Sequence, residues 1–142
     1  MYSVSIYSSR ITFPLCFARH TWVVLESPVF GVKRYEIHNF KNHSTDTFLY
    51  INNQKPNEGM NIFMIPGLYK SKKCFRATCH AIYSGNDMKQ IVEYIETIIP
   101  KYPYLRKYIL FPGPNSNTFT KWIFKKALPH KVIELPWNVF GK

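Results

Sequence analysis

Cysteine is scarce in this sequence, and so is acidic charge. Cys16, Cys74 and Cys79 are the three cysteines, at scattered positions. An odd, low number without a spacing pattern excludes a disulfide framework and fits a reducing compartment. A cytoplasmic location is therefore expected, with export by a route independent of a signal peptide left open. No CxxC pair accompanies Cys74, Cys79 and His80, and strand alternation sets Cys79 on the face opposite the other two. No metal site and no cofactor is expected from them. Only 8 Asp and Glu stand against 19 Lys and Arg, and they are dispersed, which argues against paired-carboxylate chemistry. No stretch reaches the roughly 18–20 apolar residues of a membrane span, so no transmembrane segment is expected. The opening "MYSVSIYSSRITFPLCFARH" lacks the basic region and continuous apolar core of a signal peptide. P-loop, GxGxxG, GxSxG and HExxH motifs are all missing, as are repeats and low-complexity tracts.

What is present suits one globular domain over residues 1–142. A chain of this length buries a sizeable core without staples. Hydrophobic residues make up 46% of it and aromatic ones 17%, enough rings that some must lie at the surface or in a groove. The formal charge of +11 attracts anions over a Debye length of roughly 8–10 Å. Nucleic acid, an anionic lipid surface and an acidic peptide or glycan are the partner classes it admits. The positive charges gather in Lys70-Ser71-Lys72-Lys73, Arg106-Lys107 and Lys121 to Lys126, and none of these is a long basic tail.

The pattern along the chain predicts an α+β fold. Residues 15–26, "LCFARHTWVVLE", and 33–40, "KRYEIHNF", read as an antiparallel hairpin. In the second strand Tyr35, Ile37 and Asn39 share one face, and Arg34, Glu36, His38 and Phe40 the other. "TFLYI" (47–51) is a short strand, "MNIFMI" a strand or extended edge stopped by Pro66-Gly67, and 72–84 a further strand. Met88, Ile91, Val92, Ile95, Ile98 and Ile99 recur at helical spacing, with Asn86 or Asp87 as N-cap and Pro100 and Pro103 as the stop. "LRKYILF" (105–111) reads as a strand, 118–128 as a second helix and 131–135 as a last strand. The sum is a mostly antiparallel sheet with two helices packed on it.

Chemistry concentrates in "FPGPNSNTF", residues 111–119. Ser116 sits where a turn opens a helix, and the unpaired N–H groups there stabilise an anion or an oxyanion. Asn115, Ser116 and Asn117 are also the residue types that cap helices, and a cap is the simpler reading. His20 lies in an apolar strand with Trp22 on its face. If the turn between the first two strands is centred near Val29, His20 stands opposite His38, with Glu36 on the same face as His38. Either His38 or Glu36 can then orient the His20 ring; an exposed polar stripe is the alternative.

"PGPNSNTFTKWI", "YPYLRKYILF" and "ELPWNVFGK", with the upstream "FARHTWVVLE" and "KRYEIHNF", resemble a bacterial family labelled domain of unknown function 3750, over residues 13 to the end. The family carries no established activity. More distantly, the chain resembles permuted papain-like proteins of the lecithin retinol acyltransferase-like and PPPDE-type groups. Those carry a histidine on an early strand, a second polar residue on its neighbour, and a cysteine in an "NC(N/E)xF"-like motif opening a helix. The resemblance implies a permuted papain-like fold, with Ser116 at the nucleophile position, His20 as base, His38 as orienting group, and Asn115 and Asn117 lining an oxyanion or binding site. Serine in place of cysteine is a departure, because a hydroxyl is not ionised in the ground state and must lose its proton to His20 during attack. Two functions follow: a serine-dependent hydrolase or acyltransferase for an amide, thioester or ester, or an inactive relative that keeps the groove to bind a peptide, glycan or anion. Nucleic-acid binding is a third, resting on charge and aromatics.

Overall fold

The computed structural model of the protein describes residues 1–65, 69–70 and 72–141. Its strands are β1 (Tyr2–Arg10), β2 (Arg19–Ser27), β3 (Gly31–Asn42), β4 (Thr47–Ile51), β5 (Glu58–Asn61), β6 (Met64–Ile65), β7 (Tyr69–Lys70), β8 (Cys74–Arg76) and β9 (Thr78–Gly85). Two helices follow, α1 (Lys89–Ile98), extended by a 3-10 turn at Ile99–Lys101, and α2 (Ser116–Ala127). Five strands form one sheet in the order β4-β3-β2-β1-β9, and every pairing in it is antiparallel. The α+β class with two helices is thus the architecture of the chain. Pro66-Gly67, and Ser71 within the Lys70–Lys73 run, lie outside the described residues.

The core forms where the helices cover one face of this sheet. Val4, Ile6, Val23, Leu25, Tyr35 and Ile37 project from β1, β2 and β3 and meet Val92 and Ile95 of α1 and Phe119, Ile123 and Phe124 of α2. Alternation sends the intervening side chains to the opposite face. That face is covered by the stretch around β5: the Trp22 indole donates to the Pro56 carbonyl, and Arg34 donates to the carbonyls of Lys55 and Glu58.

Several elements differ from the sequence reading. The interior strand β1, between β2 and β9, comes from the N-terminal segment, for which no strand was expected. Its Ser-Val-Ser-Ile alternation has a strand's period of two, with Val4 and Ile6 in the core and the serines buried on the other face. Residues 105–111 form no strand. Their backbone serves the next turn instead, with Ile109 N–H bonded to the Pro114 carbonyl and the Leu110 carbonyl accepting from Asn115 Nδ2. Residues 131–135 also lack a ladder, although Ile133 and Leu135 still pack on the core. The strand expected at 72–84 is divided into β8 and β9. Neither Asn86 nor Asp87 caps α1: the N-cap is Met88, without a side-chain bond, and the Gly85 and Asn86 carbonyls close the preceding turn.

Candidate functional site

Two groups of polar residues are buried at this end of the sheet, and the first is built by β2 and β3. Val23 pairs with Tyr35 and Ser27 with Gly31, so the hairpin is centred on residue 29. Continuing that register sets His20 opposite His38, and their ring centroids are 5.1 Å apart. Among the described residues the β2–β3 ladder itself ends at Val23–Tyr35, and β3 pairs onward with β4 through Glu36–Tyr50 and Ile37–Leu49. Around the end of that ladder β3 presents three side chains spaced two residues apart on one face, Arg34, opposite Val24, then Glu36 and His38. Glu36 Oε2 lies 2.8 Å from His20 Nε2, 2.8 Å from an Arg34 guanidinium nitrogen and 3.3 Å from His38 Nε2. Arg34 and Glu36 have no solvent exposure. The Arg34 guanidinium also stacks 4.0 Å above the Trp22 ring, and His38 meets the edge of Tyr50.

Burial governs the charge states. It pushes the His20 imidazole down to about 4, against the Glu36 hydrogen bond that favours the charged ring. Burial alone would raise the Glu36 carboxyl, but contact with His38 and His20 outweighs it and holds the carboxyl well below its ordinary range. At neutral pH the site therefore holds an ionised Glu36 beside the Arg34 cation. A neutral His20 donates Nε2–H to Glu36, which leaves Nδ1 as the ring's lone-pair nitrogen.

The second group opens α2. Asn115 is the N-cap: its side-chain oxygen accepts from the Asn117 and Thr118 N–H groups, and the Thr118 hydroxyl returns a bond to the Asn115 backbone N–H. This reciprocal arrangement satisfies donors that the helix leaves unpaired. Asn117 Nδ2 donates to the carbonyls of Arg19 and Phe140, and its oxygen accepts from the Thr21 hydroxyl at 2.9 Å. Asn115 and Asn117 are thus engaged in holding three segments together. Ser116, the first helical residue, has no capping role, and its buried hydroxyl lies 3.4 Å from Asn117 Oδ1.

The structure brings His20, Glu36 and His38 together and sets Ser116 next door. Thr21 faces α2, while His20, one residue earlier, turns to the opposite face of the sheet; among the described residues no hydrogen bond joins Ser116 to His20. Each group borders its own cavity. One, of about 380 Å³, is lined mainly by apolar side chains such as Leu15, Phe17, Leu110 and Phe111, with Arg19 and Ser116. The other, of about 230 Å³, is lined by His20, His38, Asn39 and Asn61 among others. Ile11, Leu15, Tyr108 and Leu110 belong to both walls.

Sequence reasoning missed Arg34 and Thr21. Arg34 had a signal, since it stands two residues before Glu36 and must share its face. Thr21 had none, because its partners lie about a hundred residues away on α2.

The model of the family described as protein of unknown function (DUF3750) matches residues 1–142, and the chain belongs to that family. No curated protein matches the chain, and no solved structure does.

Proposed function

We propose that this member of the DUF3750 family is a ligand-binding domain. Its two adjoining cavities take one molecule, with an apolar group in the larger and an uncharged hydrogen-bonding head, of peptide or glycan type, beside His20 and His38. One observation carries this reading: His20 is turned to Glu36 on one sheet face, while the Ser116 hydroxyl rests against Asn117 on the other. A general base must reach the proton it removes, and among the described residues no hydrogen bond joins this pair. The larger cavity is apolar, as binding sites for small molecules usually are, with few polar groups to fix orientation. Screening amphipathic peptides and glycans by amide chemical shifts tests the proposal. Residues lining both cavities are expected to shift with one ligand, and Leu110→Trp, which fills the shared wall, is expected to abolish the response. Shifts confined to the basic surface would overturn it.

A second reading keeps catalysis, with Ser116 as nucleophile, His20 as base and His38 or Glu36 orienting the ring. It is favoured by the Ser116 side chain, whose hydroxyl, among the described residues, bonds only to the neighbouring Asn117 while the side chains of Asn115, Asn117 and Thr118 hold the cap or another segment. Transfer of the Ser116 proton to His20 would accompany attack on an ester, thioester or amide carbonyl. A serine-directed fluorophosphonate separates the two readings. Labelling that disappears in both Ser116→Ala and His20→Ala establishes the enzyme, and an unlabelled folded chain removes it.

A further inference from the structure

The convergence of two imidazoles and a carboxylate on one point invites a different chemistry. One ring nitrogen of His20, one of His38 and a Glu36 oxygen lie within 4.8 Å of one another. They come from two strands that have just parted, so no motif in the sequence announces them. We propose that His20, Glu36 and His38 form a binding site for a divalent transition-metal ion of the zinc class.

Neutral imidazole and carboxylate are the ligand types such ions take, and two histidines with one carboxylate leave a fourth position open. Bonds of about 2.0–2.1 Å to a tetrahedral ion set donor atoms roughly 3.3–3.4 Å apart. His38 Nε2 and Glu36 Oε2 already stand at 3.3 Å. His20 Nε2, at 2.8 Å from the same oxygen, needs to withdraw by about half an ångström and to give up the proton it shares with Glu36, the neutral ring changing to its Nδ1–H tautomer as the ion enters. Glu36 Oε1 is a second, independent sign: it is buried and has no hydrogen-bond partner among the described residues. All the polar contacts of the carboxylate fall on its other oxygen, so an acceptor of full strength is left over beside two imidazoles. Outer partners are in place as well. Arg34 holds the carboxylate, Trp22 stacks on His20 and Tyr50 abuts His38, which fixes the donors as such partners do around bound ions. His20 and His38 both line the smaller cavity, which gives an ion a way in. The inference goes beyond the ligand-binding reading and does not rest on it, since it needs only these three side chains.

Cobalt(II) is the probe of choice, because it replaces zinc and is coloured. The untagged full chain, stripped with chelator, is titrated with cobalt(II) and then zinc(II). One equivalent of cobalt is expected to give visible d–d bands, which zinc removes. His38→Gln and His20→Gln are each expected to weaken cobalt binding about a hundredfold, at the upper end of what even outer-partner losses cost. X-ray absorption at the zinc edge of the wild-type chain gives a readout free of folding effects in the variants, with two imidazoles and oxygen expected. No bands at millimolar cobalt, bands unchanged in both variants, or a sulfur shell at the zinc edge would each overturn the proposal.

Discussion

Glu36 is the residue on which most depends. It is the counter-ion of a fully buried arginine, and removing one partner of such a pair leaves the other charge uncompensated. Glu36→Ala is expected to cost about 3–5 kcal/mol of unfolding free energy, read from urea denaturation. His20 sets a pH dependence. Its folded pKa, about 4, lies below the ordinary 6.5, so the unfolded chain binds the extra proton first as pH falls. Stability from this group is present above pH 6.5 and is lost between there and about 4, by roughly 3 kcal/mol. Urea melts at pH 7, 5.5 and 4.5 are expected to show the decline, and His20→Gln to flatten it. Asn115→Ala removes the cap of α2 and is expected to cost about 1–2 kcal/mol in the same assay. Gly141 belongs to the same construction: its φ is +151°, and a Cβ there would lie 2.7 Å from the Asn115 side-chain oxygen. The pairing of His20 with His38 was legible in the sequence, because a hairpin's centre fixes every rung. The importance of Arg34 was legible only in part: alternation puts it on the face of Glu36, but its carbonyl partners, Lys55 in a loop and Glu58 at the start of β5, follow a path no local pattern records.

Elements were legible where periodicity was strong. β4 matches its predicted span, and α1 shows its apolar stripe, with Val92, Ile95 and Ile98 buried. Ile95 is fully buried, and Ile95→Ala is expected to cost about 2–5 kcal/mol, depending on how far α1 settles onto the sheet. Two kinds of element were illegible for opposite reasons. β1 buries Val4 and Ile6 against the helices, but its other face is made of serines, whose hydroxyls find partners at specific sites, such as Ser9 with the Met60 N–H and Ser8 with Arg19. Residues 105–111 have a strand's composition but spend their hydrogen bonds on the turn that delivers Asn115. Composition reports what a segment can bury, and it says nothing of which neighbour claims its backbone.

At the scale of the whole molecule, the charge of +11 is spread over a chain in which, among the described residues, no helix is long and apolar enough to cross a membrane. If a polyanion is a partner, the logarithm of its binding constant falls steeply and linearly with that of salt concentration. Retention on heparin at low ionic strength, lost by moderate salt, is the expected behaviour of that reading, and no retention at low salt removes it.

The parting of β2 from β3 beyond Val23 and Tyr35 has a mechanical consequence. β2 remains fastened to β1 as far as Arg10–Arg19, and β3 to β4, so beyond the last rung the two strands keep their backbone ladders on the outer sides and are joined to each other by side chains, the His20–Glu36 bond among them. A side-chain bridge takes the place of a backbone rung there. A substitution at Glu36 or His20 therefore acts on the joint between two strands as well as on the cavity beside it.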